Sequence, residues 1–332
     1  MSDGPARVLE ALRRAGGQSC SGETLSAQHG VSRALVWKHV EALRARGYGV
    51  AAAPGDGYRL TAIPDRLYPA EVQLGLRTRW LARELLYFDS TDSTNRVALD
   101  LAREGAAHGT VVLAESQSAG RGRLGRSFYS PPYQNLYTSI VLRPEISTAE
   151  APTWTLASAV AVAEAIAASV EDPEQVEVKW PNDVLLGGRK TCGILMELGA
   201  EATRVAFLVL GIGVNLNVDR RDFPAEFRGL ATSLASHTGH AIDRVRFAQR
   251  LYNELEGILD TCAARGFDAI RPRFEARFRM AGRRVRVAEL DGTERQGVAL
   301  GIDSDGALRV RAPDGDEFRV VAGDVTIAKE GA

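Results

Sequence analysis

The chain of 332 residues is 45% hydrophobic and 25% charged, and 41 basic against 42 acidic residues leave a formal net charge of −1. This balance excludes wholesale disorder and leaves no nucleic-acid signal in the global charge, so any such signal must be local. Three widely spaced cysteines, Cys20, Cys192 and Cys262, argue against a secreted disulfide framework. Residues 1–5 do not read as a leader and residues 157–170, with Glu164 among alanines, are too short and polar to span a bilayer, so a cytoplasmic protein without a membrane partner is expected.

Pro5 suits a first helical turn, and Val8, Leu9 and Leu12 fall at helical spacing. Ser21 is placed to cap a short helix over 22–28, closed by the His29-Gly30 turn. Ser32 is placed to cap a helix running to about residue 46, with Val36, Val40 and Leu43 on one face. Gly47 ends it, and residues 48–60 read as a hairpin turning at Pro54-Gly55-Asp56-Gly57. This order of helices and hairpin predicts a winged helix-turn-helix. Residues 1–62 hold eight basic and five acidic residues, a local excess of +3. Ser32, Arg33, Lys38 and His39, on or near the exposed side of the presumed recognition helix, are the candidate DNA-contacting residues. Winged helices also serve as protein-contact modules, and that alternative stays open.

After a linker at 63–65, the pattern turns to mixed α/β. A helix is expected from Thr94-Asn95, strands over 111–115 and 136–142, and an alanine-rich helix over 154–170. Strands follow over 176–180, 184–186, 193–198 and 207–218, then a helix over 243–264 with Phe247, Leu251, Leu255, Ile258 and Leu259 on its inner face. From 283 to 329 short β-type runs alternate with turns at Asp291-Gly292, Ser304-Asp305-Gly306 and Pro313-Asp314-Gly315, which predicts a small all-β barrel. The expected fold class is α+β and multidomain, divided at 1–62, 63–280 and 281–332.

The most informative segment is Ser118-Ala119-Gly120-Arg121-Gly122-Arg123-Leu124-Gly125-Arg126. Its glycines match a dinucleotide fingerprint, but Phe128-Tyr129-Ser130-Pro131-Pro132 cannot continue as the helix that fingerprint requires. What remains is a loop whose glycines let the backbone approach an anion and whose arginines supply forked donors for phosphate or carboxylate. A second segment, Lys179-Trp180-Pro181-Asn182-Asp183 through the Gly187-Gly188-Arg189 turn to Lys190, sets two lysines beside apolar positions, which is costly unless an anion neutralises them. Asp183 is the candidate Mg²⁺ carboxylate; Asn182-Asp183 as turn chemistry and Lys179 as a surface residue are the plainer readings.

Together these motifs resemble the bifunctional biotin–protein ligase and biotin-operon repressor family, along essentially the full length. The matching motifs are Asp92-Ser93-Thr94-Asn95, Gln117 with the glycine-arginine loop, Lys179-Trp180-Pro181-Asn182-Asp183, Gly188-Arg189-Lys190 with Gly193-Ile194-Leu195, and Gly211-Ile212-Gly213-Val214-Asn215. The resemblance implies a winged helix, a central ligase domain related to class II aminoacyl-tRNA synthetases and a C-terminal SH3-like barrel. It implies that biotin and ATP form biotinyl-5′-AMP, with Mg²⁺, and that biotin passes to a lysine of the biotin carboxyl carrier protein of acetyl-CoA carboxylase. Biotinyl-5′-AMP would be corepressor for operator DNA, bound by a ligand-promoted homodimer.

Carried over by position, Ser93, Thr94, Asn95 and Gln117 would contact biotin. Helix capping and a strand-end polar residue are their alternatives. Arg121, Gly122 and Arg123 would hold carboxylate and phosphate, and Lys190 would bridge the attacking oxygen and the α-phosphate. Lys179, Asn182 and Asp183 would serve the nucleotide and metal. Gly211 and Gly213 would admit the ligand, with close strand packing as the alternative, and Asn215 would lie near the adenine. The tandem Asp89-Ser90-Thr91 leaves a possible slip of register. A regulator that senses biotin without catalysis is the competing reading; the intact Arg121, Arg123 and Lys190 set counts against it. A lipoate ligase is the third, disfavoured by the absence of that family's Arg-Arg-x-Ser-Gly-Gly-Gly loop.

Overall fold

Helix α1 (Asp3–Arg14) buries Val8, Leu9 and Leu12, as their spacing predicts. Ser21 Oγ accepts the Thr24 N–H at 2.9 Å and starts α2 (Gly22–His29), and Gly30 closes it in the left-handed region at φ 63°. Ser32 Oγ accepts the Leu35 N–H at 3.2 Å and starts α3 (Arg33–Ala45), whose Val36, Val40 and Leu43 are buried. Strands β1 (Gly49–Ala53) and β2 (Gly57–Ala62) form the antiparallel wing, and Tyr58 and Cys20 exchange two backbone hydrogen bonds of 2.8 Å that tie the wing to the start of α2. The computed structural model describes residues 3–53, 55–289 and 292–327, in two compact units, Met1–Arg66 and Leu67–Ala332. Pro54 of the expected wing turn, Asp291 of the Asp291-Gly292 turn and the last residues of the expected barrel lie outside the described residues.

The second unit begins with α4 (Pro69–Val72), β3 (Leu85–Phe88), α5 (Thr94–Arg103), β4 (Val111–Ala114), β5 (Leu136–Leu142) and α6 (Ala151–Ala167). Next come β6 (Val176–Lys179), β7 (Asp183–Leu186), β8 (Arg189–Glu201), β9 (Arg204–Val214), α7 (Leu234–Thr238), α8 (Arg244–Arg265) and α9 (Arg271–Arg277). Among the described residues these strands make one seven-stranded sheet, ordered β3-β4-β5-β9-β8-β7-β6, with β3 and β4 parallel and the other pairs antiparallel.

Strand alternation gives this sheet two different faces. On one, α6 and α8 pack through small and branched side chains, and the Tyr252 and Thr138 hydroxyls share a buried hydrogen bond of 2.7 Å. On the other, α5 sets Ala98 and Ala102 against Val112, Val141 and Val209. In β8, Ile194 joins the α6 side and Met196 takes the Thr155 hydroxyl there, which turns Gly193, Leu195 and Glu197 to the opposite face.

The boundaries shift in explicable ways. Helix α6 starts three residues earlier than expected because Pro152 suits its first turn. Arg189, expected in the turn, already belongs to β8. Strand β9 stops at Val214, before the expected 218, because Leu216 N–H turns away to Asn135 Oδ1 at 2.9 Å. Strand β3 escaped sequence reading because Leu-Leu-Tyr-Phe is too short and uniform to show a period.

The C-terminal region forms β10 (Arg284–Ala288), β11 (Glu294–Ile302), β12 (Leu308–Arg311), β13 (Glu317–Val320) and β14 (Asp324–Ile327), an antiparallel sheet ordered β13-β12-β11-β10-β14. Its Val285, Val287, Leu308, Val310 and Val320 enter the same apolar core as the central sheet, and the Trp180 indole N–H donates to Gly306 O at 2.9 Å. No described helix is long and apolar enough to cross a membrane.

A fully buried ion pair fastens the central sheet. Arg244 Nη1 lies 2.7 Å from Glu115 Oε2 and also donates to Asn135 O at 3.2 Å, while Glu115 Oε1 accepts the Leu67 N–H at 2.9 Å and the Tyr87 hydroxyl at 3.3 Å. Burial, and then the Glu115 charge, hold the Tyr87 phenol protonated far above its usual range. Removing one partner strands the other charge in the core, so Arg244→Met is expected to cost about 3–5 kcal/mol. Adding Glu115→Gln should recover part of that loss in urea unfolding of the full chain; a double variant no more stable than the single one would contradict this account.

Candidate active site

On the α5 face of the sheet lies a cleft of about 310 Å³, counting the space it opens to solvent, lined by Ser93, Thr94, Asn95, Gln117, Arg121, Phe128 and the facing residues of β5, β8 and β9. The start of α5 forms one wall. Ser93 occupies the cap position without a side-chain cap; instead the Thr94 N–H donates to Gln117 Oε1 at 2.9 Å, and Gln117 Nε2 donates to Ser130 Oγ at 3.0 Å. Gln117 therefore does the capping from the segment that follows β4. Asn95 Oδ1 accepts the Ser139 hydroxyl at 2.6 Å, and Asn95 Nδ2 donates to Glu197 Oε2 at 2.9 Å and Leu195 O at 3.2 Å. The second of the tandem motifs, not Asp89-Ser90-Thr91, thus starts the helix and enters the cleft. Its Asp92 is held at a pKa of about 2 by the hydrogen bond from Arg96.

The floor is built from paired glycines. Gly193 stands opposite Gly213 in the β8–β9 ladder, and Leu195 opposite Gly211. A Cβ on Gly211 would fall 2.0 Å from Asn95 Oδ1, and one on Gly213 would fall 2.6 Å from the Phe128 ring. The missing side chains make room for Asn95 and for an aromatic ring delivered by the glycine-arginine loop, so lining the cleft and close packing are one arrangement.

The charged residues converge beside this floor. Lys190 Nζ would be 3.2 Å from a Cβ on Gly193, and it lies 2.6 Å from Asp183 Oδ1. Arg121 Nη1 is 3.3 Å from Glu197 Oε1. Arg123 Nη1 donates to Asn182 Oδ1 at 3.3 Å and Gly323 O at 3.2 Å, and Arg126 Nη2 donates to Asp324 Oδ2 at 2.6 Å. Burial pulls the Arg123 pKa down against the nearby charges of Asp324 and Asp183. Burial alone would raise the Asp324 carboxyl, but the Arg126 hydrogen bond and the charges of Arg126, Lys179 and Arg123 bring it below its usual range. Five cations, Arg121, Arg123, Arg126, Lys179 and Lys190, thus face three carboxylates, Asp183, Glu197 and Asp324, in this group. The excess is positive where the whole chain is almost neutral.

Among the described residues no group of three or more His, Cys, Asp or Glu is placed to hold a metal ion. Asp183 Oδ1 is buried, ion-paired to Lys190 but without an aligned hydrogen bond. Such an oxygen fits a magnesium ion that takes its other ligands from phosphate and water.

Other expected residues sit elsewhere. Asn215 is buried and donates to Thr232 O at 3.2 Å. In the first unit Arg33 and Lys38 are exposed and Ser32 is the cap of α3. His39, expected on the outer side, is half-buried with its ring against α1: a Cβ on Gly4 would lie 2.3 Å from its Cε1. Trp37, 53% exposed on the outer face of α3, was missed, as were Phe128, Glu197 and Asp324. Phe128 had a signal, an aromatic two residues beyond the loop, and so did Trp37, next in sequence to Lys38; Glu197 and Asp324 are visible only once strands and loop meet.

The chain matches the model of the biotin/lipoate A/B protein ligase family over residues 87–215, an HTH domain over 6–59 and the biotin protein ligase C-terminal domain over 281–327. It is 39% identical to the bifunctional ligase/repressor BirA of Bacillus spizizenii, across 93% of this chain and 94% of that protein. The chain belongs to the bifunctional biotin–protein ligase/repressor family. The BirA of Escherichia coli is 35% identical across 92% and 91% of the two chains. Among solved structures, the biotin protein ligase from Aquifex aeolicus in complex with biotin and ATP superposes with a TM-score of 0.64 at 26% identity, across 74% of this chain and 100% of that one.

In this family member the loop is tied to β14 through Arg126 and Asp324. Arg126→Ala is expected to release it, so that trypsin cuts after Arg121 and Arg123 several times faster while the rest of the chain resists. An unchanged cleavage rate would show that the tie does not restrain the loop.

Proposed function

We propose that the chain joins biotin to ATP and then to a carrier lysine, with the cation cluster as the activating device. The observation that carries this reading is the local excess of positive charge beside a cleft whose floor lacks side chains. Both substrates are anions, and their repulsion is part of the barrier that fixed cations offset. A biotin carboxylate oxygen attacks the α-phosphorus, the bond to the bridging oxygen of the β-phosphate breaks, and pyrophosphate leaves. An uncharged lysine ε-amine of the biotin carboxyl carrier protein of acetyl-CoA carboxylase then attacks the acyl carbon. An amide forms, AMP leaves and the amine gives up a proton.

In this proposal Ser93, Thr94, Asn95 and Gln117 orient biotin, with Gly122 and Gly213 giving close backbone access. Arg121 and Arg123 hold carboxylate and phosphate, and Lys190 spans the attacking oxygen and the α-phosphate. Lys179 and Asn182 serve the nucleotide side, Asn215 the adenine, and Asp183 would hold Mg²⁺, which when bound neutralises phosphate charge. The glycine-arginine loop, closing over the acyl-adenylate, keeps water from this reactive anhydride. Residues 1–62 bind operator DNA and repress the biotin operon with biotinyl-5′-AMP as corepressor, through Ser32, Arg33 and Lys38; 63–280 and 281–332 complete the three-part division. Two-fold pairing on DNA half-sites calls for a ligand-promoted homodimer.

Lys190→Ala is expected to lower biotin-dependent ATP–pyrophosphate exchange by orders of magnitude while the chain stays folded. Near-normal exchange would refute the role of Lys190, and absence of exchange in the unaltered chain would favour a non-catalytic biotin sensor. Deleting residues 1–62 should abolish operator binding and leave substantial ligation. Retained DNA affinity after that deletion would contradict the winged-helix assignment.

A further inference from the structure

Glu197 stands behind the cleft wall, against the lining residues Asn95 and Arg121, and the chemistry above gives it no part. It lies on the cleft face of β8, in line with Gly193 and Leu195. Its side chain is only 23% exposed, and its two oxygens are divided between two binding residues: Oε2 accepts from Asn95 Nδ2 at 2.9 Å, and Oε1 is 3.3 Å from Arg121 Nη1. Arg121 is itself half exposed at the cleft edge. A guanidinium fork matches one carboxylate at a time. An acid whose carboxylate pairs with the Nη1 side of Arg121 therefore competes with Glu197 for it, and meets the repulsion of that charge as it enters. Lys190 and Asp183 repeat the arrangement at 2.6 Å on the other side of the floor.

We propose that Glu197 is a built-in substitute for the ligand carboxylate: it parks Arg121 at the cleft until the anionic acid takes its place, and so tunes affinity for the charged form of the ligand. This rests on the reading of the cleft as the biotin site. The variant Glu197→Gln isolates the charge, because its amide oxygen still accepts from Asn95.

Calorimetric titration of the full chain with biotin and with biotinamide, its uncharged carboxamide, both without ATP, tests the idea. E197Q is expected to bind biotin about three- to fivefold more tightly, the size of a partly exposed ion pair. Biotinamide affinity should change less than about twofold, since that ligand has no charge to compete. Combining E197Q with Arg121→Gln should erase the gain, and Glu197→Ala, which also strips Asn95 of its acceptor, should weaken both ligands. Unchanged or weaker biotin binding by E197Q, or an equal gain for both ligands, overturns the proposal while the biotin reading stands. A parent chain that binds no biotin overturns both.

Discussion

Two negatively charged reactants have to be brought within bonding distance, and almost every feature of the second unit answers to that requirement. Fixed cations are costly to assemble without counter-charge, because like charges at close range repel and buried ones lose hydration. The fold meets this with internal carboxylates: Asp183 opposite Lys190, Glu197 opposite Arg121, Asp324 opposite Arg126. The assembly is neutral enough to fold and still positive enough to attract.

The sheet supplies the rigidity that this arrangement needs. Its α6–α8 face is packed with apolar side chains, so the strands cannot shift independently, and the buried Arg244–Glu115 pair fixes the point where β4 turns into the Gln117 segment. The glycine-arginine loop is anchored at one place by Arg126 and at another by the Phe128 ring on Gly213. Precision comes from the strands, and the proposed closure over the adenylate falls to the loop.

Much of this was legible in the sequence because local chemistry is written locally. Ser21 and Ser32 announced their helices, the Val36-Val40-Leu43 spacing gave the buried face of α3, and the basic residues of the glycine-arginine loop and Lys190 stood out by their local composition. What stayed hidden depends on register and long-range contact. Glu197 looks like an ordinary strand residue until β8 is seen to carry it two positions beyond Leu195 on the cleft face. Asp324 looks like a turn residue until β14 meets Arg126. His39 satisfied the helical spacing of an outward residue, but Gly4, the second residue of α1, left room for its ring, and the side chain lies half-buried against that helix.

The Phe128 ring resting on the Gly213–Gly193 pair separates two tasks that enzymes often entangle. In the proposed chemistry, recognition of charge falls to the arginines and the lysine, while at the floor of the cleft aromatic carbon is seated in a socket of bare backbone. Reshaping that ring alters which molecular bulk is admitted without touching a single ionised group. The scaffold is thus open to changes of substrate size that leave its electrostatics, and hence its reaction, intact.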